Sequence, residues 1–234
     1  MPVQPQPASH LIGTLRERSL HAQLKDYYTK PGDLVEEKLG GYWVDIRRGE
    51  EVIEIQTGSF SSMKRKLESL LPDRPVRVVH PVAVEKWITK VDKDGTTFLS
   101  RRKSPKRGSL YDLFDELVSF PHLINNPNFS VEVVLVKEEE LRCDDGQGSW
   151  RRKGTSIRDH LLLDITSREL FQVARDFLRL LPPGWTGPGT NKEISVALKQ
   201  PRFRIARMTY CFLRMGLLQL SGKRGNSLLY SLAE

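Results

Sequence analysis

Apolar positions recur along this chain at two periods, and the alternation between them sets out its elements. Leu20, Leu24 and Tyr28 stand at helical spacing behind the capping-box pattern Thr14-Leu-Arg-Glu17, which predicts a helix over 14–28 closed by Lys30-Pro-Gly. Three short runs rich in β-branched residues follow, at 33–39, 41–47 and 51–57. Gly40-Gly41 and Arg48-Gly49-Glu50 supply their turns. Met63, Leu67, Leu70 and Leu71 then share one helical face, predicting an amphipathic helix over 60–71. Pro72-Asp-Arg-Pro75 stops it, and Val76-Arg-Val-Val-His80 reads as a buried strand. Strand, helix and strand in this order predict a right-handed crossover with parallel pairing.

Downstream, 84–91 and 96–101 read as a hairpin across Asp94-Gly95, 109–120 as a helix, and 129–141 as a strand paired with residues near Trp150. A strand at 161–165 precedes a helix capped by Ser167 and running to Leu181. A Pro/Gly loop leads to helices at 191–199 and 202–215, with Ile205, Met208 and Phe212 inward. A hairpin of 217–220 with 227–232 closes the sequence around Gly-Lys223-Arg224-Gly. No internal repeat is visible. Three regions are expected: a loose Pro/Gln-rich arm over 1–13, a domain over 14–160, and a second domain over 161–234.

Composition narrows the function classes. The 234 residues are 38% hydrophobic and 28% charged, ordinary for a globular protein. No run of eighteen apolar residues predicts a membrane span, and the start lacks the pattern of a signal peptide. Cys143 and Cys211, the two cysteines, form no metal-binding or disulfide pattern, so a reducing cytoplasm is the expected compartment. The net charge of +8 is unevenly placed: residues 151–234 hold 15 basic and 6 acidic side chains, and the first 150 nearly balance. From Ile194 to Ala233 there are seven basic residues and no acidic one. Such a stripe suits a polyanion. A second basic cluster, Arg101-Arg102-Lys103 with Lys106-Arg107, reads equally as a phosphate-tracking loop or a solvated surface.

The acidic candidates lie on the early strands. Asp45 interrupts an apolar strand, and Glu54 and Gln56, two apart, share a face of the next. Buried carboxylates require pairing, hydrogen bonds or a metal. Two of them on adjacent strands suit a divalent cation with oxygen ligands, Mg²⁺ or Mn²⁺. Ion pairs with Arg47 or Arg77 are the plainer explanation of both. Glu17 is equally a capping-box glutamate, Glu37 a solvated strand residue, and His21 a surface position one turn from Glu17. Tyr42 and Trp43 are expected in the core or along a groove wall.

Over roughly 14–80, helix, three-strand meander, helix and parallel strand resemble the PD-(D/E)XK, or restriction-endonuclease-like, nuclease superfamily. Asp45, Glu54 and Gln56 fall at that family's metal-binding and catalytic positions. The resemblance implies metal ligation by Glu17, Asp45 and Glu54. Val44 stands in place of the proline, and Gln56 replaces the lysine, which removes the cation that orients the attacking water. Lys64 or Lys66 on the next helix is the available substitute.

Residues 165–234 resemble a winged helix-turn-helix. In that family the third helix enters the major groove and the wing touches phosphate. This implies DNA contacts from Arg202, Arg204 and Arg207 on the helix and from Lys223 and Arg224 on the wing. The expected fold class is therefore α/β: a restriction-endonuclease-like core, with a mixed sheet flanked by helices, plus a C-terminal winged-helix domain. The implied function is a Mg²⁺- or Mn²⁺-dependent endonuclease on double-stranded DNA. It has no membrane partner and acts as a homodimer or with a partner protein in a DNA-processing complex. The alternative, which Gln56 favours, is an inactive nuclease-like scaffold acting as a DNA-binding regulator or adaptor.

Overall fold

The computed structural model describes residues 19–95 and 97–233; Thr14–Glu17 and the expected arm over 1–13 lie outside them. The described residues form an α/β protein. It has one seven-stranded mixed sheet flanked by helices and a separate two-stranded sheet. No helix among them is long and apolar enough to cross a membrane. The chain divides into two compact units. One comprises Met1–Thr29, Ala83–Gly108 and Leu135–Ser167, the other Lys30–Val82, Ser109–Val134 and Arg168–Glu234. The domain boundary expected between 160 and 161 falls inside a single strand, Ser156–Phe171.

The second unit opens with the meander β1 (Leu34–Leu39), β2 (Tyr42–Arg48) and β3 (Glu51–Ile55), paired antiparallel in order. Gly40 and Gly41, with φ of 54° and 84°, make the β1–β2 turn. Two consecutive positive φ angles are what a tight hairpin needs, and glycine meets them without a Cβ clash. After β3 a 3₁₀ turn, Phe60–Met63, leads into α2 (Lys64–Leu70), which follows α1 (Leu20–Tyr28) of the first unit in chain order. Phe60, Met63, Leu67 and Leu70 are buried, as their spacing requires. The chain then enters β4 (Val76–Val91), which pairs parallel with β3 from Val52↔Val76 to Ile55↔Val79, as the crossover predicts.

β4 is a single strand of 16 residues where the sequence suggested two, 76–80 and 84–91. Pro81 lies within this strand. It stands just past the last pair with β3, so its missing N–H interrupts no bond of that ladder. β4 then pairs antiparallel with β5 (Phe98–Lys103), from Trp87↔Lys103 to Val91↔Phe98, completing the expected hairpin.

The helix expected over 109–120 is a 3₁₀ turn, Leu110–Leu113, followed by one turn of α3 (Phe114–Leu117). β6 (Phe129–Cys143) and β7 (Ser156–Phe171) complete the large sheet in the order β1-β2-β3-β4-β6-β7. Contacts from Asn128 to Val76 and from Asp144 to Val91 advance together, so β6 runs parallel to β4. Bonds from Thr166 to Leu135 and from Ser156 to Asp145 advance oppositely, so β7 is antiparallel to β6.

The helix expected over 167–181 does not form. β7 continues to Phe171 and only a 3₁₀ segment, Ala174–Leu180, follows. The local cap at Ser167 loses to strand pairing: Ile165 and Thr166 are β-branched, and the Thr166 hydroxyl donates to Leu135 O of β6 at 2.8 Å.

The end of the chain follows its expected order: α4 (Asn191–Leu198), α5 (Arg202–Met215), β8 (Leu218–Arg224) and β9 (Ser227–Leu232). This segment shares a core with the rest of its unit. Phe114 of α3 lies 5.5 Å edge-on from Phe212 of α5 and 6.2 Å from Phe177. Phe171 stacks on Phe177 at 4.3 Å. Phe60, Phe120 and Phe129 form a second aromatic run.

In the first unit Ser19 caps α1 by accepting from Ala22 N–H. Leu20, Leu24 and Tyr28 are buried, and Leu162 N–H donates to Gln23 Oε1 at 2.7 Å. Cys143 and Cys211 are free and buried, and burial pushes the Cys211 thiol up to about 12.

Candidate functional site

The register Ile46↔Ile53 places Asp45 opposite Glu54, one step along the same antiparallel pair. Val44 and Ile46 turn to the core, so Asp45 lies on the other face of β2, together with Trp43. Ile55 N–H donates to Asp45 Oδ2 at 2.8 Å, tying that carboxylate to the residue after Glu54. Glu54 itself is 5% exposed. Burial, first, lifts its pKa to about 7, and the neighbouring Asp45 charge adds to the rise. Lys66 and the Asp45 backbone N–H act against it.

Lys66 Nζ reaches in from α2 and donates to Glu54 Oε2 at 2.5 Å and to Trp43 O at 2.6 Å. The other carboxylate oxygen, Glu54 Oε1, is buried with no hydrogen-bond partner among the described residues. A buried acceptor left open beside a second carboxylate is the donor environment of a hard divalent cation, so the residues present fit Mg²⁺ or Mn²⁺.

The plainer explanation of these acids as partners of Arg47 and Arg77 gives way to different pairs. Arg47 binds Glu37, and Arg77 binds Glu51 and Glu132. Of the two substitute lysines, Lys64 faces Glu68 in an exposed i,i+4 pair, and Lys66 is the one that meets Glu54. Gln56 has another task. Its Nε2 donates to Ser59 O at 2.8 Å and Ser62 Oγ at 3.3 Å, closing the turn that launches α2, so the amide at the expected catalytic position is committed to that turn. His80 Nδ1 lies 2.9 Å from Gln56 O, and burial holds its pKa down. Glu17 lies outside the described residues. His21 sits half-buried on α1, in the first unit. Trp43, expected in the core or a groove wall, is 67% exposed.

Glu36 carries no signal in the residue pattern around it. The pairs Val35↔Ile46 and Glu37↔Val44 put it across β1 from Asp45, and its φ of 54° is left-handed. A non-glycine residue there costs about 1–2 kcal/mol, a strain that concentrates at functional positions.

The expected DNA-contacting arginines divide. Arg204, its side chain 12% exposed, bridges Asp112 at 2.8 Å and Asp115 at 3.1 Å. Arg207 also reaches Asp115, at 2.7 Å. Arg204 is thus a structural clamp between α5 and the 110–117 segment rather than a groove-reading side chain. Arg224 pairs with Glu193 at 2.5 Å on the surface. Arg202 and Lys223 are exposed, and neither has an ion-pair partner among the described residues.

A second acidic cluster, in the first unit, escaped the sequence reading. Ligand atoms of Glu138, Glu140 and His160 lie within 4.8 Å of one another. The run Glu138-Glu139-Glu140 was its one visible signal, since alternate residues of a strand share a face. Lys86 Nζ already sits between the two glutamates, at 2.6 and 3.1 Å, and Arg142 takes Glu140. The lysine occupies the position a cation would need, and hydrogen bonds from these cations hold Glu140 below the usual carboxylate range against burial.

Residues 18–172 match the family model described as a domain of unknown function, DUF8091. The chain belongs to the DUF8091 family. An uncharacterized protein of Treponema pallidum (strain Nichols) is 34% identical over 176 residues, covering 73% of this chain and 70% of that protein. No solved structure matches. The DUF8091 region contains Glu36, Asp45, Glu54 and Lys66 as well as the Glu138–Glu140–His160 cluster; α4, α5 and the β8–β9 hairpin lie beyond it.

Proposed function

We propose that this DUF8091 protein is a metal-dependent endodeoxyribonuclease with a restriction-endonuclease-like core. The observation that carries the reading is the Asp45–Glu54–Lys66 constellation. Adjacent carboxylates stand on neighbouring strands, one of their oxygens is buried without a partner, and a lysine from the following helix lies on the other. The order of meander, helix and parallel strand around them supports it.

In this reading Asp45 and Glu54 hold Mg²⁺ or Mn²⁺, with Glu36 beside Asp45. Such a cation, when bound, supplies Lewis acidity at a phosphoryl oxygen and offsets the charge that develops during hydrolysis. Lys66 takes the role left vacant by Gln56: a fixed positive charge next to the carboxylates, held by the Trp43 carbonyl. Gln56 keeps the first turn of α2 in place so that Lys66 arrives there. Trp43, on the same face of β2 as Asp45, offers an exposed ring for a sugar or base next to the scissile phosphate. Helix, helix and hairpin from α4 to β9 serve as a winged helix that grips the duplex, with Arg202 and Lys223 on phosphates.

Supercoiled plasmid tests this directly. With Mg²⁺ or Mn²⁺ the protein nicks or linearises DNA, and EDTA stops it. Asp45→Ala and Lys66→Met lower the rate at least about a hundredfold, and Gln56→Ala lowers it less, because it only loosens the turn that positions Lys66. Binding of DNA without cutting in either metal overturns the nuclease reading and leaves a DNA-binding scaffold.

A further inference from the structure

The exposed side of α5 carries an ordered stripe that the acidic site does not use and that shares only Arg207 with the expected recognition residues. Phe203, Arg207, Tyr210 and Arg214 are all exposed, Phe203 at 57% and Tyr210 at 43%. At about 100° per residue the four fall within about 60° of one another around the helix, opposite the buried Ile205, Met208 and Phe212. Ring and guanidinium alternate along the stripe. Arg207 lies 5.7 Å from the Phe203 ring centre and Arg214 5.7 Å from that of Tyr210. A rise of about 1.5 Å per residue sets the two rings roughly 10 Å apart along the axis.

We infer that this stripe binds single-stranded nucleic acid, stacking unpaired bases on Phe203 and Tyr210 and placing phosphates against Arg207 and Arg214. Three features select that ligand. Flat apolar rings left in water on a helix crest gain most from flat apolar partners, and unstacked bases present both faces. In a duplex those faces are buried, and a phenyl ring reads no hydrogen-bond pattern in the major groove. The helix and the chain around it are basic, with no acidic residue from Ile194 to Ala233. Of the four stripe residues only Arg207 meets a carboxylate, Asp115, which it shares with Arg204, and among the described residues no carboxylate pairs with Arg214. An apolar protein partner would call for a continuous patch, whereas here each ring is separated from the next by a charge.

The inference rests on the nuclease reading only for the choice of nucleic acid as ligand. It adds that the preferred substrate contains an unpaired stretch, such as a flap, gap or melted end. Because binding is measured in EDTA, failure of cleavage and failure of this surface give separate results.

The test is fluorescence anisotropy of the full chain with a labelled oligothymidylate and with a duplex of equal length. The single strand binds about tenfold tighter than the duplex. Phe203→Ala and Tyr210→Ala each weaken single-strand binding about tenfold, and Tyr210→Phe restores it. Arg214→Ala lowers the slope of log affinity against log salt by about one. All four side chains are exposed, and thermal melts of the variants check that the fold is kept. Equal affinity for single strand and duplex, or ring-free variants that bind as the parent does, overturns the proposal. In that case the stripe is a docking face for a protein.

Discussion

Glu54 is where this chain departs most from an ordinary folded protein, because a carboxylate is held in a place that disfavours its charge. The folded-state pKa, about 7, lies above the unfolded value near 4.5. The folded state therefore binds more protons than the unfolded state between those values, and stability falls as pH rises through that window. At about 1.4 kcal/mol per unit the full cost is on the order of 3 kcal/mol above pH 7 and vanishes below about pH 4.5. Glu54→Gln removes the titration, so the variant gains stability over the parent as pH rises from 4.5 to 8. Urea melts of both proteins across that range measure the difference, which also cancels the opposite contribution of His80. A flat difference would show that Glu54 ionises normally. Mg²⁺ or Mn²⁺ stabilises the parent at pH 8, where the carboxylate is charged, and leaves the variant unchanged.

Between elements, side chains named for one task hold the fold together. Arg204 joins α5 to Asp112 and Asp115 on the segment entering α3. Arg204→Ala leaves half-buried Asp112 without its cation and Asp115 with Arg207 alone. It lowers unfolding free energy by about 2–3 kcal/mol, with the midpoint of urea denaturation as the readout. Arg202→Ala, at an exposed position, leaves the midpoint within about 0.5 kcal/mol.

The sequence could place Arg204 on a helix but could not supply its acids, which lie some ninety residues earlier in the chain. The same holds for β7. Ser167 satisfies a helix-capping rule locally, yet partners on β6 draw Thr166 through Phe171 into the sheet. Where a pattern rests on one element's own period, as in α2, α4 and α5, expectation and structure agree closely. Lys66 was legible as a substitute lysine because α2 itself was legible. Glu36 was invisible, because nothing in its neighbours announces a left-handed residue opposite Asp45.

On the scale of the molecule, the chain is interleaved rather than strung as two beads. Each unit draws on three separated stretches. The acidic site and the basic α4–β9 segment belong to one unit with a shared aromatic core of Phe114, Phe177 and Phe212. A fragment ending at residue 160 loses Phe171, Phe177 and Phe212 together, each fully buried in the intact protein. It does not give a cooperative thermal transition, and residues 161–234 alone do not either. Circular dichroism melts of the two fragments check this, and a sharp transition in either would restore the simple two-domain division.

The sequence by itself determined which stretches are strand or helix in the meander, the crossover and the last two helices. It also determined where the acidic pair and the acid-free basic stretch lie. These follow from spacing and composition, which act over one or two turns of chain. Tertiary structure alone decided which charges meet. It gave Glu54 to Lys66 and Arg204 to Asp112 and Asp115, filled the Glu138–Glu140 cluster with Lys86, and left one oxygen of Glu54 open. Pairing a buried charge depends on what lies within a few ångströms in space, and strand order, not chain order, sets those neighbours.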